Sequence, residues 1–287
     1  MYSNKLFTPL RYPGGKARFA SAVAALMNAN GLNDGHYFEP YAGGAGLALT
    51  LLVDDVVTDI HINDADPAVR DFWLAATRHN KKLIQMVESE PISIDAWHHW
   101  RDVMLGKVSA GVVERGFATL FLNRTNRSGI LKGGVIGGKS QSGTYKIDAR
   151  FKPSVISERL KLIGSRKKNI HVYGEDAFNL LLRCQDFLPE NSLIYLDPPY
   201  YVKGQGLYRN FYGPQDHLQI ADLLQSERFK HHWLVSYDNA PEIRAMYSRS
   251  RSFEYALYYT AQKRYMGSEV MFVSPGLDSK HMSNIAA

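Results

Sequence analysis

The tetrapeptide Asp197-Pro198-Pro199-Tyr200, directly after the apolar run Leu193 to Leu196, has the most pronounced chemical character in the sequence. Two prolines fix φ and remove two backbone donors, leaving a stiff turn whose carbonyls no amide of the same turn consumes. Asp197 supplies a carboxylate, Pro198 a carbonyl and Tyr200 an aromatic face. That set matches a planar exocyclic amine, which offers two N–H donors and a ring to stack. Its position at the end of a strand is where open α/β sheets bind ligands. An inert β-turn is the competing reading.

A second candidate spans Phe38 to Leu49, where a strand, a Gly-rich turn and a helix follow one another. Ala42-Gly43-Gly44-Ala45-Gly46 allows backbone to approach an adenosyl ligand closely at the carboxyl end of a parallel strand. Leu49 stands where the dinucleotide fingerprint requires a third glycine, which counts against a nicotinamide-dependent oxidoreductase. Asp64, 20 residues after Gly44, suits the hydroxyls of a ribose, with a helix-capping aspartate as the alternative.

These residues need a scaffold, and the periodicity predicts an α/β one. Strands are expected at 36–39, 57–62, 170–173, 192–196 and 232–236, with helices at 17–30, 47–53, 177–184, 214–225 and 240–247. The runs 253–259 and 269–273 have no helix between them and predict an antiparallel pair at the sheet edge. From Pro67 to Leu122 the pattern is helical, with Asp66 as N-cap and Trp73, Leu83, Val87, Trp97, Trp100 and Leu120 as core. The stretch Ser128 to Thr144 holds six glycines and predicts an exposed, mobile loop or ribbon.

Composition bounds the function. The chain has 287 residues, 45% hydrophobic and 22% charged, as in soluble globular proteins. A single cysteine, Cys184, excludes an internal disulfide and a cysteine zinc site and suits a reducing cytosolic compartment. No apolar run reaches the roughly 18 residues of a membrane-spanning helix. His98-His99 and His231-His232 are adjacent pairs that do not share a face, so no metal is expected. Between Lys107 and Lys168 stand 14 Lys and Arg against three acids, a local charge of +11 in a chain of net +6. A basic segment on an otherwise mildly acidic body points to a polyanion, because neutralising phosphates releases condensed counterions. A merely solvated basic face is the alternative.

Taken in order, Arg11-Tyr12-Pro13-Gly14-Gly15-Lys16, Phe38 to Gly46, Asn63-Asp64, Asn123-Arg124-Thr125-Asn126-Arg127-Ser128-Gly129 and Asp197 to Tyr200 resemble the D12 class of N6-adenine DNA methyltransferases, to which Dam-like enzymes belong. The resemblance covers most of the chain. It implies a doubly wound, mostly parallel seven-stranded Rossmann-like methyltransferase sheet with an inserted, mainly helical DNA-recognition domain. The catalytic domain is then expected at residues 1–66 and 169–287 and the insert at 67–168.

The same resemblance implies S-adenosyl-L-methionine as cofactor, with Tyr12 and Lys16 at its methionine end and Lys16 paired to its carboxylate. Glu39 and Pro40 would lie beside the methionine amino group, and the backbone of Ala42, Gly43, Gly44 and Gly46 beneath the ligand. Asp64 would take the ribose hydroxyls and Asp176 the adenine amine. The family's aromatic residue after that aspartate is replaced here by Ala177, with Phe178 one position later. Asp197 to Tyr200 would receive a flipped adenine, with Tyr201 and Tyr208 beside it, and Asp197 would also border the cofactor. Asn123, Arg124, Asn126, Arg127, Lys132, Lys139, Lys146 and Arg150 are candidates for DNA contact, phosphate more than base; Arg264 has no assigned role. The expected partner is double-stranded DNA, with no membrane, no metal and a monomeric state, in the cytoplasm of a bacterial cell or phage-infected host. The same chemistry on RNA or a protein amide, or an inactive DNA-binding module of the same fold, are the rivals.

Overall fold

The computed structural model describes residues 7–12, 15–201, 212–259, 265–280 and 282. Pro13, Gly14, Tyr208 and Arg264, named above, lie outside the described residues. In chain order the elements are α1 (Ala20–Ala29), β1 (His36–Glu39), α2 (Gly46–Val53), β2 (Asp59–Asn63), α3 (Pro67–Arg78), α4 (Asn80–Ser89), α5 (Ile94–Met104), α6 (Val112–Thr125), α7 (Pro153–Ser165) and β3 (Ile170–Tyr173). There follow α8 (Ala177–Arg183), β4 (Leu193–Leu196), α9 (Pro214–Leu224), β5 (His232–Asp238), α10 (Pro241–Met246), β6 (Arg251–Tyr259) and β7 (Tyr265–Val273). Short polar signals set the helix starts. The Asp66 carboxylate accepts from Ala68 N–H at 3.0 Å with Pro67 in the first turn, and Ser93 Oγ accepts from Ala96 N–H at 3.1 Å.

The seven strands form one sheet in the order β3-β2-β1-β4-β5-β7-β6. β1 runs parallel to β2 and β4, and β4 parallel to β5, whereas β7 is antiparallel to β5 and β6. The sheet is therefore mixed rather than purely parallel: β7 runs against both its neighbours, while β1, β2, β4 and β5 pair in parallel. Strands β6 and β7 follow each other without a crossover helix, so they can only pair antiparallel. The order reverses between β1 and β4, which makes the ends of those two strands the switch point of the sheet.

Packing divides the chain into two compact units. Of the described residues, one unit comprises 15–65 and those from 173 onward, the other 7–12 and 66–172. In the first, helix side chains Leu180, Leu181, Ile220 and Ile243 pack on Phe38, Ile194, Leu196, Trp233, Val235 and Phe272 of the sheet. In the second, Phe72, Trp73, Phe117, Phe121 and Phe151 are fully buried. Helices α3 and α6 meet at Gly116, where an added Cβ would lie 2.7 Å from both Ala75 Cβ and the Asp71 carbonyl.

The segment 7–12, expected with the sheet, belongs to the helical unit instead. Asn123 on α6 accepts from Arg11 N–H at 2.7 Å and donates to the Arg11 carbonyl at 2.9 Å, and Arg159 on α7 donates to the Thr8 carbonyl at 2.7 Å. The Gly-rich stretch is an irregular, partly exposed loop, as its composition predicts, but it is tied down from within. Val135 is 2% exposed and bridges Asn126, while the Gln141 amide donates to the Ile136 and Gly138 carbonyls and accepts from Ile147 N–H. Among the described residues no helix is long and apolar enough to cross a membrane.

Candidate active site

Strand β4 is buried on both faces, and its last residue delivers the chain to Asp197 at the switch point. The Asp197 side chain is 28% exposed and heavily engaged. Its Oδ1 accepts from Lys16 Nζ at 2.8 Å and from Ser236 Oγ at 2.7 Å, and its Oδ2 accepts from the same Lys16 ammonium at 2.9 Å. Ser236 lies on β5, next to β4 in the sheet, and its hydroxyl is also 2.9 Å from Tyr195 OH. Burial and the neighbouring Glu269 carboxylate raise the Asp197 pKa above the ordinary aspartate value, against the pull of Lys16. For Lys16, burial alone would lower the pKa, but Asp197 and Glu269 outweigh it and hold the ammonium charged.

The turn's two tyrosines are anchored from β5 and β7. Glu269 on β7 is 0% exposed; its Oε1 accepts from Tyr200 OH at 2.8 Å and its Oε2 from Tyr255 OH at 2.5 Å. Lys16 Nζ lies 3.5 Å from Glu269 Oε2, so one ammonium serves two carboxylates. On β5 the Asp238 carboxylate accepts from Tyr201 N–H at 2.8 Å. Pro198 is buried, and Pro199 and Tyr200 are half-buried.

Beside this corner, β1 and β2 end in a second set of carboxylates. Glu39 Oε1 accepts from Ala48 N–H at 3.1 Å and from Tyr37 OH at 3.2 Å, and burial pushes its pKa up to about 8. Gly43 takes a positive φ of 47° and its N–H donates to Asp64 Oδ2 at 3.1 Å. Ala45 follows in the left-handed region at φ 44° and has no polar side chain to cap α2, a task the Glu39 carboxylate performs at Ala48. Asn63, 1% exposed, staples the strand ends: its amide donates to the Pro40 and Glu175 carbonyls at 2.9 and 3.0 Å and accepts from Glu175 N–H at 2.9 Å. Asp176, exposed, caps α8 by accepting from Asn179 N–H at 3.0 Å.

The structure thus brings Lys16, Glu39, Pro40, Ala42, Gly43, Gly44, Gly46, Asp64, Asp176 and Asp197 to Tyr200 into one unit; Lys16 precedes α1, Gly46 opens α2, and the others lie at strand ends or in the loops after them. Lys16, expected to face a ligand carboxylate, has Asp197 as its partner. Tyr12 belongs to the helical unit. So do the eight candidates for DNA contact, and they divide sharply. Arg127, Lys132, Lys139, Lys146 and Arg150 are exposed. Asn123 and Asn126 are buried and committed to the fold, Asn123 to Arg11 and Gly129, Asn126 to Trp97 Nε1 at 2.7 Å and the Ile130 and Leu131 carbonyls. Neither presents its amide to a ligand. Arg124 is half-buried with Nε donated to the Pro9 carbonyl at 2.6 Å, and burial, with Arg159 and Arg11 nearby, lowers its pKa to about 10. Among the described residues no cluster of three His, Cys, Asp or Glu is placed to hold a metal.

Ser236, Tyr255 and Glu269 carry no local motif that marks them. The one available signal for Glu269 is a charged residue opening the apolar run Val270 to Val273.

The donor set suits an adenosyl amino acid with a sulfonium. Asp64 and Asp176 can accept from hydroxyls and an amine, and nearby carboxylates favour a cation. A family model described as the D12 class N6 adenine-specific DNA methyltransferases matches residues 12–266. No curated protein matches the chain. Among solved structures, one from Pyrococcus horikoshii described provisionally as an RNA methyltransferase is 9% identical, covering 94% of this chain and 89% of its own, with a TM-score of 0.42.

Proposed function

Because the chain belongs to the D12 class of N6 adenine-specific DNA methyltransferases and is thus a DNA adenine methyltransferase, we propose that the Asp197 corner receives the exocyclic amine of an adenine flipped out of duplex DNA. The observation that carries this reading is a carboxylate set at the switch point of the sheet, 28% exposed, on a turn with two prolines. S-adenosylmethionine, when bound, supplies a methyl group made electrophilic by its sulfonium. Asp64 and Asp176 are the acceptors for its ribose and adenine, and the backbone at Ala42 to Gly46, with Pro40 and Glu39, forms its seat.

Adenine N6 is a poor nucleophile because its lone pair is delocalised into the ring. Accepting one N–H at the Asp197 carboxylate and the other at the Pro198 carbonyl favours a pyramidal nitrogen with its lone pair free for in-line attack. Lys16 and Ser236 already occupy this carboxylate, so an incoming amine must share it with them or displace them. The raised pKa of Asp197 suits it to take the proton that N6 sheds once it carries the methyl group and a positive charge. Tyr200, half-buried beside the turn, offers a face on which the extruded base stacks. The exposed cations Arg127, Lys132, Lys139, Lys146 and Arg150 would hold phosphates.

The test is nucleoside analysis after incubation with methyl-labelled S-adenosylmethionine and either unmethylated plasmid or total RNA. Label in N6-methyldeoxyadenosine from the plasmid is expected. Label confined to RNA, or absent from both, contradicts the proposal.

A further inference from the structure

We propose that Glu269 is a positioning residue for this reaction: from β7 it fixes Tyr200 through its hydroxyl and shares the Lys16 ammonium with Asp197, so that the antiparallel edge strand sets the geometry of the amine-binding turn. The proposal rests on the reading of Asp197 and Tyr200 given above.

A carboxylate at 0% exposure is costly unless it is paired and hydrogen-bonded, and here both oxygens are taken. Tyr200 OH donates to one at 2.8 Å; Tyr255 OH donates to the other at 2.5 Å, with Lys16 Nζ at 3.5 Å. Filling space at Tyr200 would require only a phenyl ring. Tethering its hydroxyl does more, because a ring held at both its Cα and its para oxygen keeps one position and can only spin about its long axis. The strand register shows how the anchoring is distributed. Asp238 on β5 pairs with Glu269 on β7, and Ser236 with Met271. Ser236 holds the Asp197 carboxylate, Asp238 the Tyr201 backbone and Glu269 the Tyr200 hydroxyl. Two adjacent antiparallel strands thus supply three fixed points to one turn, and of the three Glu269 is the one that joins the aromatic face to the cation that pairs with Asp197.

The test compares Glu269→Gln, Tyr200→Phe and the double variant of the full chain in methyl transfer to unmethylated plasmid, with thermal unfolding as a check on folding. Each single variant is expected to lower kcat about ten- to a hundredfold, the range of a charge-assisted hydrogen bond, with KM for S-adenosylmethionine within about threefold of wild type. The double variant should be no slower than the worse single variant within about twofold, since Glu269→Gln takes the charge from the same hydrogen bond that Tyr200→Phe deletes. An unchanged kcat for Glu269→Gln, additive losses in the double variant, or a loss matched by the unfolded fraction would overturn the proposal. Should Glu269→Gln fail to fold, Tyr200→Phe decides by itself: it deletes one oxygen and keeps the ring, and full kcat in that variant also overturns the proposal. Asp197→Ala with wild-type turnover would instead sink the underlying reading, whatever the Glu269 variants do.

Discussion

At the scale of single residues, the corner is a small excess of negative charge arranged around one lysine. Lys16 is 5% exposed and faces two carboxylates, so its charge is needed for their burial as much as for any ligand. Glu39 is the contrasting case, 6% exposed, with an ordinary value of 4.5 raised to about 8 by burial. A carboxyl whose folded pKa exceeds its unfolded one contributes stability that is complete below the unfolded value and lost as pH rises through the folded value. Wild type should therefore lose stability relative to Glu39→Gln between about pH 4.5 and about pH 8, by a few kcal/mol at most, since each tenfold difference in proton affinity between the folded and unfolded chain is worth about 1.4 kcal/mol. Urea denaturation of both proteins at pH 5, 6.5 and 8.5 checks this; parallel profiles would show that Glu39 is already ionised in the fold. Asp197 is legible from the sequence because its partners in chemistry are its next three neighbours. Ser236 and Glu269 are not, because they reach it only through strand register, 39 and 72 residues away in the chain.

At the scale of elements, local signals carry far. Alternating strands and helices, the Asp66-Pro67 helix start and the helix-free final hairpin all follow from periodicity and backbone chemistry, and the structure contains each of them. The six glycines predict an exposed loop, and the stretch is irregular and partly exposed; what composition does not reveal is that the Gln141 side chain adds three hydrogen bonds across it. Asn123 and Asn126 depart from expectation for a related reason: an amide suits base edges and buried carbonyls equally, and only burial distinguishes the two. Asn63 tests the staple at the strand ends. Asn63→Ala removes three hydrogen bonds at a buried site and should destabilise the protein by about 2–4 kcal/mol. It should also weaken cofactor binding, since Pro40 and Asp64 flank the staple; calorimetric titration and denaturation read the two effects. Gly116→Ala, with its Cβ forced to 2.7 Å from α3, should cost about 1–3 kcal/mol and leave cofactor affinity unchanged.

At the scale of the whole molecule, the sequence places chemistry and charge in different parts of the chain, and the structure assigns them to different compact units. The acidic corner and the loops after β1, β2 and β3 belong to the sheet unit, and five exposed cations belong to the helical one. Replacing Arg127 and Lys132 together by alanine should weaken DNA binding and reduce its salt slope by up to about 1.8, at about 0.9 for each phosphate no longer neutralised. An unchanged slope in filter binding from about 50 to 200 mM salt would place the phosphate grip on other residues.

The central claim is that the Asp197 carboxylate acts on the amine rather than on the fold or the cofactor. Single-turnover methyl transfer by Asp197→Ala, with S-adenosylmethionine affinity measured on the same preparation, tests it most directly. Transfer is expected to fall by at least about a thousandfold with cofactor affinity within about threefold of wild type. Transfer at the wild-type rate, or a loss explained entirely by weaker cofactor binding, would contradict it.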